Sequence, residues 1–220
     1  VQMHAHSYID PRTPLELYGK RILVVGLGNS AADIAVELSS RTLENTVTIS
    51  TRSSAWIVPK YLGGKPADKY YRTSPHIPFA WQRKVAQVFQ PLTAGRPENY
   101  GLPKPNHKFF EAHPTQSVEL PFRLGAGDVT AKGDIERLDG DTVHFVDGSS
   151  ADFDVIVYAT GYNITFPFFD PDFISAPGNQ IDLYKRMIYP GIDDLLFVGF
   201  AQATPTLFPF VECQSRLVGA

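Results

Sequence analysis

Two glycines, a small residue and an arginine carry the chemistry most legible in this chain. Gly26-Leu27-Gly28-Asn29-Ser30-Ala31 reads G-x-G-x-x-A. In a dinucleotide site the first glycine permits a tight turn, the second lets a pyrophosphate approach the backbone, and a small third residue lets helix and strand pack closely. Free amides at the start of the helix, with the positive end of its dipole, then face the phosphates. Where an NAD site sets a carboxylate against the ribose hydroxyls, about twenty residues on, this chain has Ser50-Thr51-Arg52-Ser53. An arginine flanked by hydroxyls suits bidentate capture of a 2′-phosphate, so NADPH is expected over NADH. The competing readings are a tight turn in any packed α/β protein and an ordinary solvated arginine; the sequence context outweighs both.

No residue is assigned a catalytic role, and none a metal. His4 and His6 form an H-x-H pair with no Cys, Asp or third His nearby to complete a ligand set. His76, His107, His113 and His144 are scattered and are expected to be structural or solvated. Cys213 has no basic activator beyond Arg216 and is expected to be a buried, inert thiol.

The elements that must position the glycines follow from periodicity. Ile22-Leu23-Val24-Val25 is a short run rich in β-branched residues and ended by glycine, which predicts a buried strand and a turn. Ala31, Ile34, Ala35 and Leu38 fall at helical spacing, with Asn29 or Ser30 expected to cap the N-terminus. Val47 to Thr51 reads as a second strand, so the order is strand, helix, strand, and the sheet is expected to be parallel. Residues 57–115 are rich in Pro, Gly, Tyr and Lys, with one predicted helix over Trp81 to Phe89, and read as an insertion, a lid or packing arm. Strands resume at Val129, at Thr142 to Val146 before an Asp147-Gly148 turn, and at Val155 to Tyr158, with Leu195 to Val198 as a last candidate.

The 220 residues are 43% hydrophobic and 20% charged, with a formal net charge of −3. That composition argues for a globular protein and gives no positive field to hold nucleic acid or an anionic membrane. The apolar runs are too short to span a bilayer, and one cysteine cannot form an internal disulfide, so a cytoplasmic protein is expected. Val1-Gln2-Met3-His4 reads as the middle of a longer chain, and Glu212 to Val218 as the start of a helix with no stop signal. A fragment is therefore expected.

Taken together, several segments resemble the flavin-containing monooxygenase family over nearly the whole chain. Gly19-Lys20-Arg21 leading into Gly26 to Asp33 is similar to its NADPH-domain motif, continued by Thr51-Arg52-Ser53-Ser54-Ala55-Trp56. Ala159-Thr160-Gly161-Tyr162 is similar to the ATGY-type signature where the chain returns to the FAD domain. Leu196 to Gln202, Pro209 and Glu212 to Arg216 resemble the returning segment. His4-Ala5-His6-Ser7-Tyr8 fits the second half of the identifying motif F-x-G-x-x-x-H-x-x-x-Y/F. Baeyer-Villiger monooxygenases typically carry Trp where this chain has Tyr8, which favours the N- and S-oxygenating branch.

The resemblance implies a Rossmann-like NADPH-binding domain, three-layered with a mostly parallel sheet, an irregular helical insertion, and part of a second, FAD-binding domain. Residues 1–18 would be a linker from the FAD domain, 19–158 the NADPH-binding domain, and 159–220 the incomplete returning segment. The family's first G-x-G-x-x-G, which holds FAD, is not in this sequence. The resemblance further implies cofactors NADPH and FAD, and O2 activation as a C4a-hydroperoxyflavin that oxygenates nucleophilic N or S atoms of an amine or sulfide. Carried over residue by residue, Gly26, Gly28, Ser30, Ala31 and Asp33 would serve the pyrophosphate and helix start, Arg52 the 2′-phosphate, and Gln202 a position near the flavin. Three other readings stay open: a Baeyer-Villiger enzyme acting on ketones, a nucleotide-binding module without catalysis, and a self-contained NADP-dependent reductase. The isolated chain is expected to be inactive; no membrane or nucleic-acid partner is expected, and oligomeric state is left open.

Overall fold

A computed structural model describes residues 1–67, 69, 77–202 and 207–219, and divides the chain into two compact units, residues 1–160 and 161–220. His76 lies outside the described residues.

The first unit is α/β. In chain order it contains β1 (Gln2–His4), β2 (Arg21–Val25), α1 (Asn29–Leu38), β3 (Thr46–Ser50), β4 (Ile57–Val58), β5 (Tyr61–Leu62), β6 (Lys65–Pro66), α2 (Phe79–Thr93), β7 (Thr115–Gln116), α3 (Glu119–Ala126), β8 (Val129–Lys132), β9 (Ile135–Asp139), β10 (Thr142–Phe145), β11 (Ser150–Asp152) and β12 (Val155–Tyr158). A five-stranded sheet has the order β1-β12-β2-β3-β8, and every neighbouring pair in it is parallel. The expected second strand thus begins and ends one residue earlier, and residues 2–4, which show no periodicity, form an edge strand against β12.

Alternation along β2 explains why both sheet faces are covered. Ile22 and Val24 point into one core with Ala31, Ala32, Ala35 and Leu38 of α1, while Leu23 points into another with Val143, Phe145, Phe153 and Ile156. Ile22, Leu23 and Val24 are all fully buried. A strand enclosed on both faces reads as an unbroken apolar run, as this one does. The layers are helices, parallel sheet, and the antiparallel meander β11-β10-β9. Alanines at 31, 32 and 35 let α1 lie close to the sheet, because each removes bulk between the two backbones.

The insertion is closed at its ends by two short strands. β4 pairs in parallel with β7, Ile57 opposite Thr115 and Val58 opposite Gln116. The predicted insertion helix forms and is longer than expected, Phe79–Thr93, with Pro91 inside it.

In the second unit, Leu195 to Val198 is not a strand: Leu196 makes only an isolated bridge with Ile188. The segment lies instead in an irregular, phenylalanine-rich packing of Phe166, Phe197 and Phe200, whose ring centroids are 5.6–5.9 Å apart. α4 (Phe208–Val218) is the last element among the described residues. Cys213 on α4 is exposed, contrary to the sequence reading. The buried residue of that turn is Gln214, whose Oε1 accepts from the Gly199 amide at 2.9 Å and whose Nε2 donates to the Arg186 carbonyl at 3.2 Å. Among the described residues no helix is long and apolar enough to cross a membrane.

Candidate functional site

The sheet order itself marks a location. From β2 the chain runs outward to β3 and β8 on one side, while β12 and β1 lie on the other. Such a reversal opens a crevice beyond the carboxyl ends of the central strands, where open α/β sheets take their ligands. The glycine-rich turn leaves β2 at that point.

Gly26 has φ +123°, in the region that favours glycine, and a Cβ added to it would stand 2.5 Å from the Ala159 carbonyl oxygen. Ala159 itself follows β12, and its amide donates to the Val25 carbonyl at 2.8 Å. The first glycine therefore serves the closeness of β2 and β12 as much as the turn. Gly28 is different: it is exposed, has φ −79°, and a Cβ there would meet nothing within 4 Å. Its missing side chain leaves open space in front of the helix start. Ala31 is fully buried, and the added Gly26 Cβ would lie 3.8 Å from its own Cβ, so a larger residue at 31 would crowd the turn.

The helix cap departs from expectation. Gly28 occupies the capping position in extended conformation, and no side chain bonds to the amides of the first turn. Asn29 and Ser30 are exposed and belong to the helix. The Asn29 Oδ1 is taken instead by the Gln116 amide at 2.8 Å. The Thr115 hydroxyl donates to the Leu27 carbonyl, and Thr115 is buried. Neither Thr115 nor Gln116 had a local signal in the sequence; both reach the turn only because β7 returns beside β4.

At the end of β3, Arg52 is exposed and, among the described residues, has no hydrogen-bond or ion-pair partner. Thr51 is buried; its amide donates to the Lys132 carbonyl at 3.2 Å and its hydroxyl to the Ser53 carbonyl at 2.7 Å. Thr51 thus shapes the loop, and its hydroxyl proton is engaged within it. Nearby, Lys132 Nζ reaches Asp147 Oδ2 at 3.2 Å and Ser149 Oγ at 2.7 Å. The Ser149 hydroxyl and amide and the Lys132 ammonium hold the Asp147 carboxyl down at about 2.

Asp33 is exposed on α1 and pairs with Lys60 at 3.5 Å, a contact that offsets an acidic charge near the helix start. The Trp56 Nε1 donates to the His107 carbonyl at 3.0 Å, which anchors the segment after Arg52. His4 Nδ1 accepts from the His6 amide at 3.1 Å and caps a single 3-10 turn. Tyr8 donates to Glu37 of α1 at 2.8 Å, and burial, reinforced by that carboxylate, pushes its phenol well above the usual range. Gln202 belongs to the second unit, where it is exposed.

A loop of this geometry suits a dinucleotide, and comparison with known proteins gives it a family. The family described as flavin-binding monooxygenase-like matches residues 2–220. The chain is 37% identical to dimethylaniline monooxygenase 2 (N-oxide-forming) of Rattus norvegicus over 222 residues, covering 97% of this chain and 40% of that protein. It is 33% identical over 223 residues to flavin-containing monooxygenase 5 of Homo sapiens, covering 94% and 40%. The chain thus spans 40% of the length of these relatives. Among solved structures it is similar in fold to a flavin-containing monooxygenase from Stenotrophomonas maltophilia, with a TM-score of 0.63 at 16% identity over 100% of this chain and 54% of that one. It is also similar to the S-allyl-L-cysteine S-oxygenase of Allium sativum, with a TM-score of 0.56 at 20% identity over 99% and 35%. The chain belongs to the flavin-binding monooxygenase-like family.

Proposed function

From that membership as premise, we propose that the chain is the NADPH-binding portion of a flavin-dependent monooxygenase that oxygenates nucleophilic N or S atoms of small molecules with O2. Monooxygenases of this family use FAD and NADPH. The observation that carries the nucleotide half of this reading is the pairing at the turn: Gly26 has no room for a Cβ and Gly28 has open space where one would be. A pyrophosphate needs that approach to the backbone.

In this reading the amides at the start of α1 hold the pyrophosphate, because no side chain caps them. Arg52 holds the 2′-phosphate by charge-assisted hydrogen bonds, and Lys60 keeps Asp33 from repelling the phosphates. Ala31 sets the distance between helix and turn. When bound, NADPH supplies hydride to the flavin. Among the described residues a single strand, glycine-rich turn and helix of this kind occurs, and it is the one given to NADPH. The residues described provide no such cradle for FAD, and Gln202 is the one residue this reading gives to it. The domain reading places residues 19–158 with NADPH and 159–220 with the FAD domain.

Oxygenation at N or S, rather than Baeyer-Villiger chemistry on ketones, is favoured by Tyr8 and by the N-oxide-forming name of the Rattus norvegicus relative. Titration calorimetry of the chain with NADPH and NADH tests the nucleotide half; equal affinities, or no heat with either, overturn it. Flavin absorbance and N-oxide formation from dimethylaniline by the full-length protein test the other half.

A further inference from the structure

We propose that Thr115 is a positioning residue for the dinucleotide, joining the far end of the insertion to the glycine-rich turn. This rests on the reading of that turn as a pyrophosphate site. The group it acts on is the peptide between Leu27 and Gly28. A trans peptide is planar, with its C=O and N–H pointing in opposite directions. Holding the Leu27 carbonyl therefore aims the Gly28 amide the other way. The holder is the Thr115 hydroxyl, which donates to that carbonyl across 88 positions of sequence.

Thr115 is itself closely fixed. It is 2% exposed, its amide donates to the Trp56 carbonyl at 2.9 Å, and it pairs with the buried Ile57 across β4 and β7. A β-branched side chain on such a backbone has few rotamers, so the hydroxyl keeps its direction. The next residue adds a second tie. The Gln116 amide holds the Asn29 Oδ1 at 2.8 Å, which keeps the side chain best suited to cap the helix away from its first amides. The two contacts together aim one backbone donor and leave others uncapped for an anion. β7 thus makes the turn ready for a pyrophosphate before any ligand arrives.

The test separates the pyrophosphate from the 2′-phosphate. NADP+ contains both, whereas adenosine 2′-monophosphate offers only the group assigned to Arg52. We expect Thr115→Val to weaken NADP+ binding to the chain by roughly fivefold to tenfold, the loss of about one hydrogen bond. Binding of adenosine 2′-monophosphate should be unchanged, and Thr115→Ser should restore NADP+ affinity. Parental NADP+ affinity in Thr115→Val, or equal losses for both ligands, overturns the proposal. If Thr115→Val does not fold, Thr115→Cys, with its weaker donor, is expected to show an intermediate loss confined to NADP+, and parental affinity there overturns it equally. A parent chain that binds neither ligand fails at the nucleotide reading itself, and the proposal falls with it; a parent that binds both while the variants match it fails at Thr115 alone.

Discussion

The carbonyl of Ala159 occupies the space that a side chain on Gly26 would need, 2.5 Å from the position of an added Cβ. The contact joins two sequence signatures, G-x-G-x-x-A and A-T-G-Y, that lie more than half the chain apart. It also assigns different work to the two glycines of the turn, and the difference can be measured.

Gly26→Ala must move backbone and adopt an unfavourable φ, so it should lower unfolding free energy by at least about 2 kcal/mol. Gly28→Ala meets nothing within 4 Å and has an ordinary φ. It should change stability by less than about 1 kcal/mol while weakening NADP+ binding, because its methyl fills the approach to the backbone. Denaturant unfolding and calorimetry on both variants check this; a Gly28→Ala chain that binds as the parent does would contradict it.

Arg52→Ala should reduce NADPH affinity by about tenfold to a hundredfold, the range for a lost charge-assisted hydrogen bond. NADH affinity should be unchanged, and raised salt should weaken only the parent's preference for NADPH, since the exposed guanidinium is open to screening. Calorimetry with both nucleotides at two salt concentrations reads this directly.

The Asp147 carboxyl is held at about 2 against an ordinary value of 3.8. A carboxyl depressed on folding contributes stability above its unfolded value and loses it as pH falls through the folded one. Its share should therefore be present above pH 4 and disappear between about 4 and 2. In Asp147→Asn the unfolding midpoint should be lower at neutral pH and fall less steeply across that window; parallel pH curves for the two proteins would refute the assignment.

Gln214 is buried in the second unit and bonds the Gly199 amide and the Arg186 carbonyl at once. Gln214→Leu leaves both backbone groups without that partner and should destabilise the second unit by about 2–4 kcal/mol. The neighbouring Cys213→Ser, at an exposed position, should be close to neutral. Limited proteolysis within residues 161–219 compares the two.

Much of the site was legible because its parts are contiguous. β2, the turn and α1 occupy one unbroken stretch, where a continuous apolar run gives way to helical spacing across a pair of glycines. Arg52 was legible for the same reason, since it follows the end of the next strand. The cap on α1 was misread because Asn29 has a competing partner 87 positions away in Gln116. Leu195 to Val198 was misread as a strand because an apolar run fits a phenylalanine cluster as well as a sheet. Cys213 was misplaced because one residue of a helix turn is buried only if a neighbour covers that face, and Gln214 holds the covered position.

The sequence by itself determined the order of strand, turn and helix, the unbroken apolar strands that require cover on both faces, and the arginine that stands where an NAD site sets a carboxylate. These depend on residue type and near spacing, which fix backbone preference and side-chain direction locally. Tertiary structure decided that Ala159, just after β12, would press against Gly26, that an antiparallel meander would cover the second face, and that Thr115 would hold Leu27. Each of those is a contact between segments far apart in the chain, set by which surfaces must be buried together, and no local period encodes it.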